Sequence, residues 1–254
     1  MKKWEVAAKE FIKQCNFYDD IETVYLTGSH AAGNADEYSD IDLYIVLSDS
    51  CDWRIRGNKF FNNKYRIEYF VNPVRQIIKY IDSSFEDVRI LEINMILNGI
   101  VIYDKNSTSK TLRDYCLQKI SNEFPAIGEY NVLMGQYLIW DNLDELTRAY
   151  ENKTADFVMQ YYMFINNAFE FYSRYICSPV PNYHHLYIWL SNETYRNNFK
   201  LPPYRDEAFL KLITGAFNLN DINAMYEYAN DIKDYIFNKV GGIDIDNFML
   251  KGSC

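Results

Sequence analysis

The chain has 254 residues, of which 48% are hydrophobic, and it carries a formal net charge of −9. This length allows one large domain or two smaller ones around a buried core. The acidic balance disfavours a long nucleic-acid partner, because like charges repel, whereas it would attract a small cationic substrate.

The cysteines and the apolar segments indicate the compartment. The five cysteines are odd in number, widely spaced and free of any CxxC pair, which is typical of a reduced cytoplasmic protein without disulfides or a zinc site. The N-terminal segment lacks the apolar core of a signal peptide, and no run of 18 apolar residues occurs. We therefore expect a cytoplasmic protein without a membrane partner, and either a monomer or a homodimer.

The first residues alternate between helical and extended patterns. Apolar residues at helical spacing predict a helix over 2–17. A short buried strand over 24–27 ends at a Gly-Ser turn, and a short helix or loop follows it. The next segment, "DIDLYIVL" at 40–47, is rich in β-branched and aromatic residues and predicts a strong strand.

A hairpin, two helices and a last strand are expected next. The Asn62-Asn63 turn signal predicts a hairpin within 58–71. Asn72 is a candidate N-cap for a helix that Pro73 opens. A further helix is capped by Gly99, and "IVIYD" forms a strand immediately after it.

Beyond residue 107 the strand signals fade. Long helical patterns separated by proline-containing breaks take their place, at 108–121, 128–151, 154–176, 205–217 and 221–239. We therefore expect an α+β chain, with an N-terminal domain of strands and helices over 1–107 and a C-terminal helical bundle, as a substrate-binding domain, over 108–254.

Two aspartates stand one residue apart in the strong strand. Alternate strand residues share a face, so Asp40 and Asp42 project together while Ile41 and Leu43 face the core. Two adjacent carboxylates repel each other unless a cation lies between them. Mg²⁺ prefers such hard oxygen ligands together with phosphate oxygens, so the pair predicts a metal site.

The Gly-Ser turn precedes this pair and supplies a phosphate-binding element. Gly28 lets the backbone approach a ligand closely, and the hydroxyl of Ser29 with the neighbouring amides can donate to phosphate. Phosphate donors beside a carboxylate pair are the parts of a nucleoside triphosphate site.

Gly28-Ser29, ten residues, and then Asp40-Ile41-Asp42 leading into an apolar run resemble the signature of the DNA polymerase β-like nucleotidyltransferase superfamily. The resemblance implies a small mixed sheet flanked by helices, ATP or another nucleoside triphosphate as co-substrate, and Mg²⁺, with two ions. It also implies a third carboxylate, Glu68, as a metal ligand or general base.

The nucleotide-binding candidates are Gly28, Ser29, His30 and Ser39. Ala32 departs from the family pattern, which often has arginine there, so the resemblance does not carry an arginine-dependent role in phosphate contact or packing to this position, and it leaves the metal site intact. His30 is a candidate to compensate as a phosphate donor, although a loop histidine more often has no such role.

The layout of both halves resembles the small-molecule branch, which includes aminoglycoside and lincosamide nucleotidyltransferases. In aminoglycoside relatives an acidic residue of the first long bundle helix can act as general base. Asp141 is our preferred candidate because it interrupts an apolar run, and Asp144, Glu145 and Glu68 stay open. His184 and His185 are expected to pack or to line a rim.

These features together predict Mg²⁺-dependent transfer of a nucleoside monophosphate, AMP from ATP, to a hydroxyl of a small molecule, with release of pyrophosphate. A cationic, sugar-like acceptor would suit the acidic chain, and an aminoglycoside-type antibiotic would imply a role in resistance. Two alternatives stay open: a protein-AMPylating enzyme of the toxin–antitoxin type, and a catalytically inactive nucleotide-binding module.

Overall fold

The computed structural model describes residues 3–179, 186–198, 200 and 203–251. The chain forms two compact units, Met1–Phe124 with Asn192–Leu201, and Pro125–Ser191 with Pro202–Cys254. The fold class is α+β: the sheet lies in the first unit, and the second unit is built from helices.

The first unit contains five strands in one sheet. The strands are β1 (Ile21–Thr27), β2 (Ile41–Leu47), β3 (Ile55–Phe61), β4 (Tyr65–Pro73) and β5 (Ile100–Asp104). The helices of this unit are α1 (Lys3–Lys13), α2 (Gly28–Ala32), α3 (Val74–Glu86), α4 (Leu91–Asn98), α5 (Thr108–Ile120) and α9 (Glu193–Asn198).

The sheet is mixed, and its strand order is β3-β4-β2-β1-β5. β2 and β4 are parallel neighbours, whereas the other neighbouring pairs are antiparallel. Because β2 and β4 run parallel, both strands begin at the same edge of the sheet.

Both faces of the sheet are covered by apolar side chains. On one face Leu43 and Ile45 of β2 pack into a cluster with residues of α1. On the opposite face Tyr44 and Val46 pack into a cluster with residues of α3, α4 and α5. Because neither face is open to solvent, β2 is almost continuously apolar along its length after its first two residues.

The start of α3 differs from the expectation. β4 continues through Pro73, which is itself the N-cap of α3, so Asn72 is a buried strand residue and the prediction that it caps the helix is wrong. The reason is the backbone of Pro73, whose φ of −68° and ψ of 154° continue the extended chain up to the helix. The predicted cap at Gly99 is confirmed, since its N–H donates to the Met95 carbonyl at 2.9 Å.

α5 lies within the first unit, although the sequence pattern grouped its residues with the later helices. Its buried residues Leu112 and Cys116 belong to the apolar cluster that packs against Tyr25 and Tyr44 of the sheet. A helical pattern shows which face of a helix is apolar, but it does not show which partner that face will cover.

The second unit contains α6 (Glu129–Glu151), α7 (Phe157–Tyr175), α8 (Leu186–Ser191), α10 (Glu207–Ala216) and α11 (Ile222–Val240). Its core is aromatic and aliphatic, with Phe164, Phe169, Phe209 and Ile232 fully buried. The long helical segments predicted from residue 128 onwards are confirmed by α6, α7, α10 and α11. No helix of the described ranges is long and apolar enough to cross a membrane.

Candidate active site

Two carboxylates lie side by side at the edge where β2 and β4 begin. In the parallel register Asp42 lies directly opposite Glu68, and Ile41 lies opposite Ile67. Ile41 and Ile67 are buried in the core that contacts α1, so by strand alternation the two carboxylates project from the other face. The topology therefore places Glu68 where the sequence expected a partner for the aspartates.

The carboxyl of Asp42 is electrostatically strained. Burial, together with the negative charges of Glu68 and Asp40, raises its pKa to about 6. A buried carboxylate with two like charges beside it is costly to ionise. A cation bound at this edge of the sheet would remove that cost.

Asp40 lies immediately before β2 and is paired with an arginine. Its Oδ2 is 3.3 Å from Nε of Arg66, which is on β4. The Asp40 side chain is 20% exposed and Arg66 is 59% exposed. Asp40 therefore lies at the solvent side of the three carboxylates, with an exposed cation against it.

Glu68 is paired in the same manner with a residue of β3. Its Oε1 is 3.4 Å from Nη2 of Arg56, whose guanidinium lies 4.7 Å from the centre of the Phe70 ring. Sequence reasoning missed Arg56 and Arg66 as residues of this site. The alternation of Arg66 and Glu68 on one strand face was the signal that could have found Arg66.

Gly28 packs directly on Asp42. Its φ is +62°, a conformation that L side chains rarely adopt, and a Cβ at this position would lie 2.0 Å from Oδ2 of Asp42. The turn thus needs glycine for two reasons, its backbone conformation and the space that the carboxylate occupies. The structure brings the Gly-Ser turn and the aspartates together.

The other predicted nucleotide-binding residues have local contacts. Ser29 and His30 lie on α2, and the His30 ring lies 5.2 Å from the ring of Trp4 on α1. The Ser39 hydroxyl donates to the Asp36 carboxylate at 2.8 Å and accepts from the Asp36 N–H at 2.9 Å. Ser39 therefore closes the turn that leads into Asp40, and its nucleotide-binding role stays a prediction.

The carboxylate oxygens at this edge of the sheet are ligands of the type that a hard divalent cation prefers. Asp40, Asp42 and Glu68 offer carboxylate oxygens, which Mg²⁺ prefers, and Asp42 carries unrelieved repulsion. In the described ranges no three His, Cys, Asp or Glu side chains form a ready-made cluster around one point. Arg66 and Arg56 hold Asp40 and Glu68 instead, so metal binding would require these two ion pairs to open.

Three of the four candidates for a general base, Asp141, Asp144 and Glu145, lie on α6 in the second unit, whereas Glu68 lies on β4. Arg148 pairs with Asp144 at 2.5 Å and with Glu145 at 3.0 Å. Asp141 has no ion-pair partner among the residues that the structure describes, and its side chain is partly exposed. Its role as base stays a prediction, and His184 and His185 lie outside the described residues.

Comparisons with known proteins agree on the class of this domain. Residues 9–108 match the family model described as "Polymerase beta, Nucleotidyltransferase". A curated protein of Methanocaldococcus jannaschii named "Putative protein adenylyltransferase" is 28% identical over 103 residues, which cover 39% of this chain and 70% of that protein.

A solved structure of a nucleotidyltransferase-like protein from Exiguobacterium sibiricum is similar over 94% of this chain and 77% of that one, with 10% identity and a TM-score of 0.48. The matched residues 9–108 contain the Gly-Ser turn, both aspartates and Glu68. Residues 9–108 are accordingly a nucleotidyltransferase domain of the polymerase β-like type.

Proposed function

We propose that this enzyme transfers AMP from ATP to a hydroxyl of a small acceptor, depends on Mg²⁺, and releases pyrophosphate. The observation that supports this best is the opposition of Asp42 and Glu68 across the parallel pair of strands, with Gly28 against Asp42. Several carboxylates this close together, beside a glycine turn, are suited to bind a cation together with a triphosphate.

Asp40, Asp42 and Glu68 would hold the divalent ions, and Gly28 and Ser29 would face the phosphates. A bound Mg²⁺ would polarise the phosphoryl oxygens and stabilise the charge that develops on the entering and leaving oxygens. The residues of the turn orient the β- and γ-phosphates so that pyrophosphate can leave opposite the acceptor.

The transfer balances as an in-line displacement. The acceptor oxygen forms a bond to the α-phosphorus, the bond from that phosphorus to the bridging oxygen breaks, and the electron pair leaves with pyrophosphate. The hydroxyl proton passes to a carboxylate, for which we propose Asp141, with Asp144, Glu145 and Glu68 as alternatives. Asp141 is preferred because Asp144 and Glu145 are engaged by Arg148.

The acceptor we favour is a small, hydroxylated and cationic molecule, as in aminoglycoside-type antibiotics. The net charge of −9 supports a cationic ligand, and the helical unit would supply its binding surface. A protein hydroxyl is the second candidate, and the name of the Methanocaldococcus jannaschii relative favours it. That match covers 39% of this chain.

The two acceptors are separated by one labelling experiment. The purified chain, Mg²⁺ and ATP labelled at the α-phosphate are incubated either with a panel of aminoglycosides and lincosamides or with a protein lysate, and pyrophosphate is measured in both. Label on a small molecule supports the first proposal, and label on a protein band supports the second. Tight binding of Mg²⁺ and ATP with no transfer to any acceptor would instead indicate an inactive nucleotide-binding module. Repeating the panel with the other nucleoside triphosphates tests the choice of ATP.

A further inference from the structure

We propose that Arg66 and Arg56 have two alternative partners: the carboxylates Asp40 and Glu68 when no divalent ion is bound, and the polyphosphate chain of the nucleotide when one is. This inference rests on the proposed function of the site. It assigns to two residues of β4 and β3 a nucleotide-binding role that depends on the metal.

The register of the strands places both arginines on the carboxylate face. β2 and β4 pair Ile41 with Ile67 and Asp42 with Glu68, so Arg66 comes one position before this paired segment and faces Asp40. On the other side of β4, Arg56 lies opposite Phe70, which is two residues from Glu68 on the same face. Cations and carboxylates therefore alternate along one edge of the sheet.

The charges of this edge are incompletely balanced without a further cation. Arg66 contacts Asp40 at 3.3 Å and Arg56 contacts Glu68 at 3.4 Å, and both distances are long for a charge-assisted hydrogen bond. Asp42 lies between these two pairs in the register and retains the repulsion of both neighbouring acids. The two arginines thus neutralise the carboxylate charges only in part. A divalent ion shared among the three carboxylates would neutralise them more fully.

Both ion pairs are easy to open. Arg66 is 59% exposed and Arg56 is 74% exposed, and exposed ion pairs of this kind contribute little to stability. Arg56 also has a second resting contact, its guanidinium lying over the Phe70 ring, so releasing Glu68 does not leave it without a partner. A divalent ion can therefore take over the carboxylate oxygens without disrupting the fold.

The released groups have the geometry that a polyphosphate requires. A guanidinium presents a planar fork of N–H donors that matches phosphate oxygens and stays charged at every physiological pH. Because the nucleotide would bind with the metal, the arginines meet phosphate oxygens at the point where they lose their carboxylates. The prediction is that metal and arginine compete in the free enzyme and cooperate when the nucleotide is present.

The test measures binding without turnover in the full-length chain. Arg66→Gln, Arg56→Gln and the double variant are compared with wild type for Mn²⁺ affinity by electron paramagnetic resonance. Affinity for the non-transferable analogue α,β-methylene ATP is measured by calorimetry, with and without Mg²⁺. Lys64→Gln in the β3–β4 turn, where the lysine contacts the Tyr65 ring, is the matched control because it removes the same charge elsewhere.

We expect the arginine variants to bind Mn²⁺ more tightly, by roughly 3- to 10-fold, because a competing cation is gone. We also expect them to bind the analogue with Mg²⁺ about 10-fold more weakly, because charge-assisted contacts to phosphate are lost. Lys64→Gln should change neither value. Arg66→Lys should recover the Mn²⁺ affinity of wild type more fully than its nucleotide affinity, because lysine lacks the fork.

Two results overturn the inference, and they are distinguishable. If wild type binds Mn²⁺ and the analogue while the arginine variants match it in both, the arginines are surface ion pairs and the site itself stands. If wild type binds neither ligand, the proposed function fails, and the inference fails with it. If a variant loses the same thermal stability in EDTA and in Mg²⁺ and its affinities are unchanged, the replaced arginine has only a structural role, and the inference is wrong for that residue.

Discussion

Asp42 on β2 lies directly opposite Glu68 on β4, and the two strands run parallel. Like charges directly across a sheet destabilise it, and here Asp42 is also partly buried. A fold stabilised only by its own contacts gains nothing from this arrangement. The pair therefore costs stability in the free protein, and that cost can be measured.

The first prediction concerns the charge of Asp42. Asp42→Asn should stabilise the protein in EDTA by on the order of 1–2 kcal/mol, because the amide keeps the shape of the side chain and removes a partly buried charge that two neighbouring acids repel. Chemical denaturation at pH 7 measures the free energy of unfolding. Nucleotidyl transfer by the same variant should be lost.

Asp40→Asn is the matched comparison, because Asp40 has the Arg66 counter-ion, whereas no residue that the structure describes forms an ion pair with Asp42. It should change the unfolding free energy by less than about 1 kcal/mol, as exposed ion pairs do. Equal stabilisation by both variants, or a loss of stability in Asp42→Asn, would contradict the account of an unrelieved charge at Asp42.

The second prediction concerns the contact between Gly28 and Asp42. Gly28→Ala should lower stability by about 1–3 kcal/mol, because alanine is strained at a φ of +62° and its Cβ would overlap Oδ2 of Asp42. Displacement of that carboxylate should also lower transfer activity by at least about 10-fold. Thermal unfolding and initial rates check the two effects.

Gly33→Ala separates strain from contact. Gly33 also has a positive φ, +77°, but a Cβ there would meet nothing within 4 Å. This variant should lose only the backbone part of the stability, about 1 kcal/mol, and keep its activity. If both variants lose activity equally, the fit of Gly28 against Asp42 is not what the activity depends on.

The third prediction concerns the buried tyrosine network of the helical unit. Asp206 is the N-cap of α10 and also accepts hydrogen bonds from the hydroxyls of Tyr172 and Tyr235, at 2.7 and 2.9 Å. Burial alone would raise the pKa of Asp206, but these hydrogen bonds outweigh it and hold the pKa below its ordinary value. Asp206→Asn should therefore cost about 1–2 kcal/mol at pH 7.

The pH dependence of that cost has a definite sign. A depressed carboxyl pKa contributes stability above the unfolded-state value, about 4, and loses it as the pH falls through the lower folded-state value. The difference between wild type and Asp206→Asn should therefore shrink below about pH 4. Asp221→Asn, at the exposed N-cap of α11, should cost less at pH 7, because its side chain accepts only the backbone N–H of Ala224 among the described hydrogen bonds. A difference for Asp206→Asn that grows on acidification contradicts this assignment.

The fourth prediction concerns the general base. Asp141→Asn should lower kcat by roughly 10²- to 10⁴-fold while the stability stays within about 0.5 kcal/mol of wild type. Glu151→Gln, at the exposed end of the same helix, is the control and should leave kcat unchanged. A larger loss in Asp144→Asn or Glu145→Gln than in Asp141→Asn would transfer the role to that residue.

The sequence predicted the two aspartates as a pair because strand alternation is a local property. The alternation of Asp40 and Asp42 with the apolar Ile41 and Leu43 can be recognised without knowing the rest of the fold. The position of Glu68 opposite Asp42 is different, because it depends on which strands become neighbours and in which register. The composition of "KYRIEYFV" carries neither fact, so Glu68 followed from resemblance alone.

The contacts that the sequence missed are long-range for the same reason. Arg66 reaches Asp40, and Arg56 reaches Glu68, only because β4 lies between β3 and β2. The placement of α5 in the first unit likewise depends on which core its apolar face covers. Elements with strong periodicity were predictable, whereas pairing, register and the partner of each amphipathic face were not.

The central claim is that the carboxylates at the start of β2 carry nucleotidyl transfer. The most direct measurement follows ATP labelled separately at the α- and γ-phosphates, with Mg²⁺ and the acceptor found by screening, in wild type and in the Asp40→Ala, Asp42→Ala double variant. The account predicts that wild type moves the α-label to the acceptor and releases the γ-label in pyrophosphate, and that the double variant does neither. Transfer of the γ-label instead, or α-label transfer that persists in the double variant, would contradict it.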